Sequence, residues 1–253
     1  MTDEGVFLHA KHTLMPNSLG YCGPDENSII LEHLHSSSSG EDLLSTLKGF
    51  EAAYPFVRMI AESNGLDPFD YEVAEAYWIG NKLLEHVEPS KFYRFSQSGP
   101  TTRMTAEDSK DLFRNLGTSA KPHHTFYVLG MYSRAKGGPD VDKKLLELMD
   151  SCRISWGRVV GVSKKTLTVE RPPLVLNDGR LRLASPQRKE VVFDREIRPF
   201  STVGKGDWVS VHWNFASEKL KPYQVRNLKS YTALDIEAAN RSFTLAQKKG
   251  KRR

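Results

Sequence analysis

The sequence predicts an α+β protein: an all-helical N-terminal domain over 1–150, a small β-barrel with a C-terminal helix over 151–242, and a basic flexible tail over 243–253. Three observations predict it. Apolar residues recur every three or four positions before residue 150. Beyond 152 short apolar runs are separated by turn signals. From Pro222 a helical period returns.

In the first part, Leu43, Leu47, Phe50, Tyr54, Val57 and Ala61 follow the spacing of one helix face. The polar linker Ser36 to Gly40 precedes this helix, and Glu41-Asp42 suit its N-terminus, where the backbone field favours anions. Val73, Tyr77, Leu84 and Val87 form a second set, ended by Pro89. Further helical segments are Lys110 to Leu116, Thr125 to Arg134 and Val141 to Met149. Gly65, Pro68, Gly99-Pro100, Gly117, Pro122 and Gly137-Gly138-Pro139 punctuate them. Tyr54, Phe56, Tyr77 and Trp78 are either core or an aromatic surface for a partner.

The second part reads as strands. Arg158 to Val162 and Thr166 to Glu170 flank the turn Ser163-Lys164-Lys165. Leu174 to Leu176 and Leu181 to Leu183 flank Asn177-Asp178-Gly179, a strong hairpin signal. Val191 to Phe193 and Trp208 to Trp213 complete the set. Short strands joined by turns predict a small OB-like β-barrel or a curled sheet. Val225, Leu228, Thr232, Ile236 and Ala239 then mark the terminal helix, with Pro222 in its first turn.

Composition narrows the function. With 39% hydrophobic and 26% charged residues the chain is ordinary for a globular protein. No stretch approaches the roughly 20 apolar residues of a membrane helix, and Met1-Thr2-Asp3-Glu4 leads into no apolar run. The expectation is a cytoplasmic protein without a signal peptide. The net charge of +5 is carried by Lys248, Lys249, Lys251, Arg252 and Arg253. A basic end of this kind is a solvated terminus more often than a nucleic-acid arm. The barrel strands also lack the exposed aromatic and basic alternation of single-strand binders, so nucleic acid is not expected as a partner. Two cysteines, Cys22 and Cys152, make no disulfide framework. No HExxH, CxxC, P-loop or GxGxxG is present.

Two segments carry a resemblance. The first is Cys152-Arg-Ile-Ser-Trp156-Gly157-Arg-Val-Val; the second is Val203-Gly-Lys-Gly-Asp207-Trp208-Val209-Ser-Val211-His212-Trp-Asn-Phe215-Ala216. Over about 151–240 the chain resembles the HypC/HupF chaperones of nickel–iron hydrogenase maturation. Those chains open on a cysteine with a glycine five positions later, and carry a "VGDxVLVHxGFA" segment before a final helix. The resemblance implies an assembly chaperone rather than an enzyme. It implies Cys152 as primary thiolate ligand or contact for iron, transiently as an Fe(CN)2CO unit, and His212 as the second polar residue of the site. It implies the hydrogenase large subunit and other maturation proteins as partners, touched through Cys152, Trp156, Trp208 and Phe215. A thiolate is a soft ligand suited to such iron. Here Cys152 is internal, so no terminal amine stands beside the thiol, and Trp156 replaces the family's proline.

The helical half offers weaker candidates. Cys22, before Gly-Pro-Asp-Glu, is either a second thiol, its pKa lowered by a helix N-terminus, or a packed loop cysteine. His123 and His124 are adjacent and point to different faces, so at most one reaches a site; His124 is carried as a further ligand candidate. His9, His12, His33 and His35 show no recognised metal spacing. The alternative function is a thiol-dependent metalloenzyme that makes or modifies an iron ligand during cofactor assembly.

Overall fold

The computed structural model describes residues 1–98, 106–116, 120–132 and 141–250. The turns expected at Gly99-Pro100, Gly117 and Gly137-Gly138-Pro139, and the last three basic residues, lie outside the described residues. Within them the chain is α+β, with helices first, then a mostly antiparallel β-region and a final helix.

The helical half contains α1 (Asp3–Ser18), α2 (Asn27–Ser36), α3 (Glu41–Lys48), α4 (Tyr54–Asn64), α5 (Tyr71–Trp78), α6 (Pro89–Ser98) and α7 (Ala106–Leu116). A short turn, α8 (His124–Phe126), runs into a π-helical stretch, Tyr127–Tyr132, and α9 (Lys143–Cys152) leads to the barrel. The apolar stripe from Leu43 to Ala61 is broken in two. Gly49 caps α3 and Pro55 sits in the first turn of α4, where its missing N–H costs nothing. The stripe from Val73 likewise ends at Gly80, whose φ of +94° an L side chain rarely adopts; the 3-10 turn Lys82–His86 follows.

Helix α1 lies at the centre. Val6, Leu8, Ala10, His12 and Leu14 are all buried, as are His9, Lys11 and Thr13 between them. Gly5 lets it come close to α5: a Cβ there would stand 2.1 Å from the Phe69 carbonyl oxygen. The Thr2 hydroxyl caps α1 by accepting from Gly5 N at 3.2 Å.

The β-region is a closed barrel of strand order β1-β2-β5-β7-β6, with β3-β4 as a separate hairpin. Its strands are β1 (Ser155–Val162), β2 (Thr166–Arg171), β5 (Gln187–Val192), β6 (Trp208–His212) and β7 (Phe215–Leu220); the hairpin is β3 (Leu174–Asn177) and β4 (Arg180–Leu183). All pairings are antiparallel except β5 with β7, which meet at Val192 and Phe215. Of the two forms the turn pattern predicts, this is the OB-like barrel. Gly157 is required inside it, because a Cβ would meet Val169 Cβ at 2.8 Å.

The strand expected over Trp208 to Trp213 is β6, which ends one residue earlier at His212, and β7 follows it as a second strand of a hairpin. Trp213 and Asn214 both have positive φ, 51° and 61°, and reverse the chain between β6 and β7 as a two-residue turn. The final helix, α10 (Pro222–Gly250), continues through the start of the basic segment.

The two halves share one core. A single cluster of buried apolar residues runs from Val6 through Trp78 to Val159, Val209 and Leu228. Across the seam, the His12 ring bonds Ser210 Oγ at 3.1 Å, and Lys11 pairs with Glu218.

Candidate metal centre

Three ligand-bearing side chains converge at this seam. One ligand atom each from His124, Cys152 and His212 all lie within 4.8 Å of one another. Each comes from a different element: α8, the end of α9 and the end of β6.

Cys152 is fixed by a charged hub. Asp150 Oδ1 accepts from Arg153 Nε at 3.0 Å, Arg171 Nη2 at 2.7 Å and Leu174 N at 2.8 Å. Arg153, fully buried, also donates to the Pro172 carbonyl at 2.6 Å. These bonds tie the end of α9 to β2 and β3. The β6–β7 turn closes on the same end, with Trp213 N donating to Ser151 O at 2.8 Å.

His212 is 2% exposed. Its Nδ1 lies 2.6 Å from the His12 carbonyl oxygen. A carbonyl only accepts, so Nδ1 carries the proton and Nε2 keeps its lone pair. That Nε2 is buried and, among the described residues, makes no full hydrogen bond, although the Cys152 backbone acts on the ring. A buried acceptor without a full hydrogen bond is rare enough to require an explanation, and a metal ion would supply one.

His124 owes its direction to its neighbour. His123 Nδ1 pairs with buried Asp235 of α10 at 2.6 Å, which turns His124 the other way. The His124 Nε2 edge reaches the Cys152 carbonyl at 3.0 Å and the Cys152 thiol at 3.9 Å. Its Nδ1 lies 3.2 Å from the Tyr77 hydroxyl. That hydroxyl can donate to Nδ1, or accept from it while donating to Ala52 O at 3.4 Å. The Cys152 carbonyl only accepts, so Nε2 carries the proton in this geometry and Nδ1 accepts from Tyr77; a metal at Nε2 requires that proton to move to Nδ1, where the Tyr77 hydroxyl can accept it.

Both imidazoles are neutral. Burial lowers His124 to about 3 and holds His212 well below the usual imidazole range. Neutral rings are the form that ligates metals. The Cys152 thiol is pushed up to about 12, first by burial and then by nearby Cys22. The Trp213 indole opposes this from the same wall, although its N–H makes no full hydrogen bond. A protonated thiol becomes a ligand only when a cation displaces its proton.

The cluster opens on a cavity of about 100 Å³, lined by Cys22, Tyr77, Trp78, Tyr127 and Trp213 among others. Trp78 is the hub of its wall. The rings of His12, His124 and His212 lie 5.2, 4.8 and 5.9 Å from its ring, and that of His9 at 6.2 Å. Its Nε1–H donates to His9 Nδ1 at 2.9 Å.

The sequence candidates fall as follows. Cys152, His212 and His124 meet. Cys22 lines the same cavity outside the group of three. Its pKa is raised to about 11 by burial, the opposite of the lowering expected from a helix N-terminus: α2 starts only at Asn27, too far to act on the thiol. Trp156 and Phe215 are 7% and 3% exposed, so they belong to the core and offer a partner little surface. Trp208 is half-buried, with the Lys229 ammonium 5.1 Å from its ring centroid. His33 and His35 pair instead with Asp42 and Asp194. Sequence reasoning gave no role to His9 and His12. Their signal was a shared face of α1, three residues apart.

Fold and site together define a two-part α+β protein with a thiol–imidazole cluster at the junction of its parts. The chain matches the model of a family of unknown function, DUF6390, over residues 1–246, and belongs to that family. No curated protein and no solved structure matches it. No helix among the described residues is long and apolar enough to cross a membrane.

Proposed function

We propose that this protein is a cytoplasmic maturation factor for nickel–iron hydrogenase. In this reading it is a chaperone that holds the Fe(CN)2CO precursor, presents it to the apo large subunit, or does both, through Cys152. One observation carries the reading. Cys152 and His212 are the two residues singled out by the resemblance to the HypC/HupF chaperones; they sit in separate motifs, yet their ligand atoms lie within 4.8 Å.

The donor set fits the cargo. One thiol and neutral imidazoles make a soft, borderline site suited to low-spin iron. Three protein ligands leave positions open, which a carrier that must give up its cargo needs. The cavity of about 100 Å³ has room for roughly three water-sized groups at about 30 Å³ each. The helical half supplies His124 and most of the cavity wall, which fits a factor that encloses its cargo.

The test is anaerobic expression together with hydrogenase maturation proteins, followed by infrared spectroscopy. Bands of bound carbon monoxide and cyanide are expected, and they vanish in Cys152→Ala. Iron-free protein with no affinity for the large subunit or a maturation partner refutes the reading.

A further inference from the structure

We propose that Cys22 supplies a second thiolate when this centre holds a bare divalent cation in place of the cyanide-bearing iron unit, so that the cation is held by Cys22, His124, Cys152 and His212. The inference rests on the reading that Cys152 and His212 hold a metal.

Three observations carry it. First, Cys22 lines the same cavity as the three converging ligands, where His212 Nε2 is buried without a full hydrogen bond. Second, the charge count is incomplete without it. A bare divalent cation, without the cyanides that neutralise the precursor iron, leaves a net +1 with one thiolate and two neutral imidazoles in an aromatic, apolar cavity, and among the described residues no carboxylate lines the wall. An uncompensated buried charge is costly. A second thiolate brings the sum to zero, and two sulfurs with two imidazoles form a common tetrahedral donor set.

Third, the Cys22 turn is tied to the residues beside the other ligands. Tyr21 stacks on Trp213, with ring centroids 4.1 Å apart and planes 15° off parallel. Trp213 directly follows His212, and its N–H bonds the carbonyl of Ser151, next to Cys152. From behind, Asn17 Nδ2 donates to the Cys22 carbonyl at 3.0 Å. Gly23, at φ +85°, lies so close to Phe50 that a Cβ would meet the ring at 2.4 Å. The turn is therefore held against the site, and the thiol, in the cavity wall outside the group of three, has to move inward to join it. When the cation binds, each thiol gives up its proton to solvent and each sulfur donates a lone pair to the metal. No electron is transferred.

The full-length protein would be titrated anaerobically with cobalt(II). Wild type should show tetrahedral d–d bands and a sulfur-to-cobalt charge-transfer band. In Cys22→Ser that band should fall to about half its intensity per bound cobalt, one thiolate of two being lost, with the d–d bands kept. X-ray absorption on cobalt-loaded wild type, which requires no variant to fold, should count two sulfur scatterers. One sulfur, or an unchanged band in Cys22→Ser, overturns the role of Cys22 while leaving the metal site standing. No cobalt bound by wild type overturns both.

Discussion

Acid should unfold this protein early, and the cause should be its ring of buried imidazoles. His9, His12, His124 and His212 are all at most 7% exposed. Burial lowers them to about 4, about 3, about 3 and well below the ordinary range, from 6.5. In the unfolded chain each binds a proton as pH falls through 6.5, while the folded chain binds none until near pH 4. The unfolded state then holds more protons, so stability falls as pH falls. At pH 5.5 His9, His12 and His124 each cost about 1.4 kcal/mol and together about 4 kcal/mol, and His212 acts in the same direction. The sum is comparable with the lower end of the stability of a typical domain, about 5–15 kcal/mol. His33 works the other way, since Asp42 raises its pKa, but it is a single solvent-screened group. Urea unfolding at pH 8, 7, 6 and 5.5 measures the effect. The slope near pH 5.5 should reach at least about 4 kcal/mol per pH unit, and His12→Gln should remove about one proton's worth of it. A stability flat to within about 1 kcal/mol between pH 8 and 5.5 refutes the reasoning.

Other outcomes are expected. Removing Asp150 as Asp150→Ala leaves Arg153 and Arg171 buried without their shared anion; chemical denaturation should show a loss of about 3 kcal/mol or more. His123→Ala strands Asp235 in the core and should lower Tm by roughly 6–12 °C, for about 3 kcal/mol in a chain of this size. It should also weaken cobalt binding, since His124 loses the neighbour that aims it. Gly5→Ala forces α1 off the Phe69 carbonyl and should cost at least about 1–3 kcal/mol by overpacking, read as a shifted urea midpoint. Cobalt affinity should rise with pH above neutrality, because Cys152, pushed up to about 12, must lose its proton to bind; a pH-independent affinity would argue against thiolate ligation.

Much of the barrel was legible in the sequence because its turns announce themselves. Asn177-Asp178-Gly179 places Asp178 and Gly179 at positive φ, as that tripeptide predicts. Strand β7 was hidden because Trp213-Asn214 makes the same kind of turn without a glycine. Helix α1 showed no stripe because it is buried nearly all round, and a one-sided pattern arises only where one face meets water. At the site, Cys152 and His212 were legible from motifs. His124 could be narrowed to one of two neighbours, and only the distant Asp235 decides between them. The place of Trp78 among four imidazoles was not legible, because it is set by packing between elements far apart in sequence.

The three converging candidate ligands leave the ribosome in a fixed order, His124, then Cys152, then His212, with Cys22 before them all. The carbonyl that orients His212 belongs to His12, made long before and held waiting in α1. The candidate ligand set is thus complete only when the last two barrel strands have paired and closed against α1. A nascent chain or a truncated product carries every early ligand and still lacks a finished site. On the proposed reading, loading with metal would report that the barrel has closed against α1 and that both halves have met.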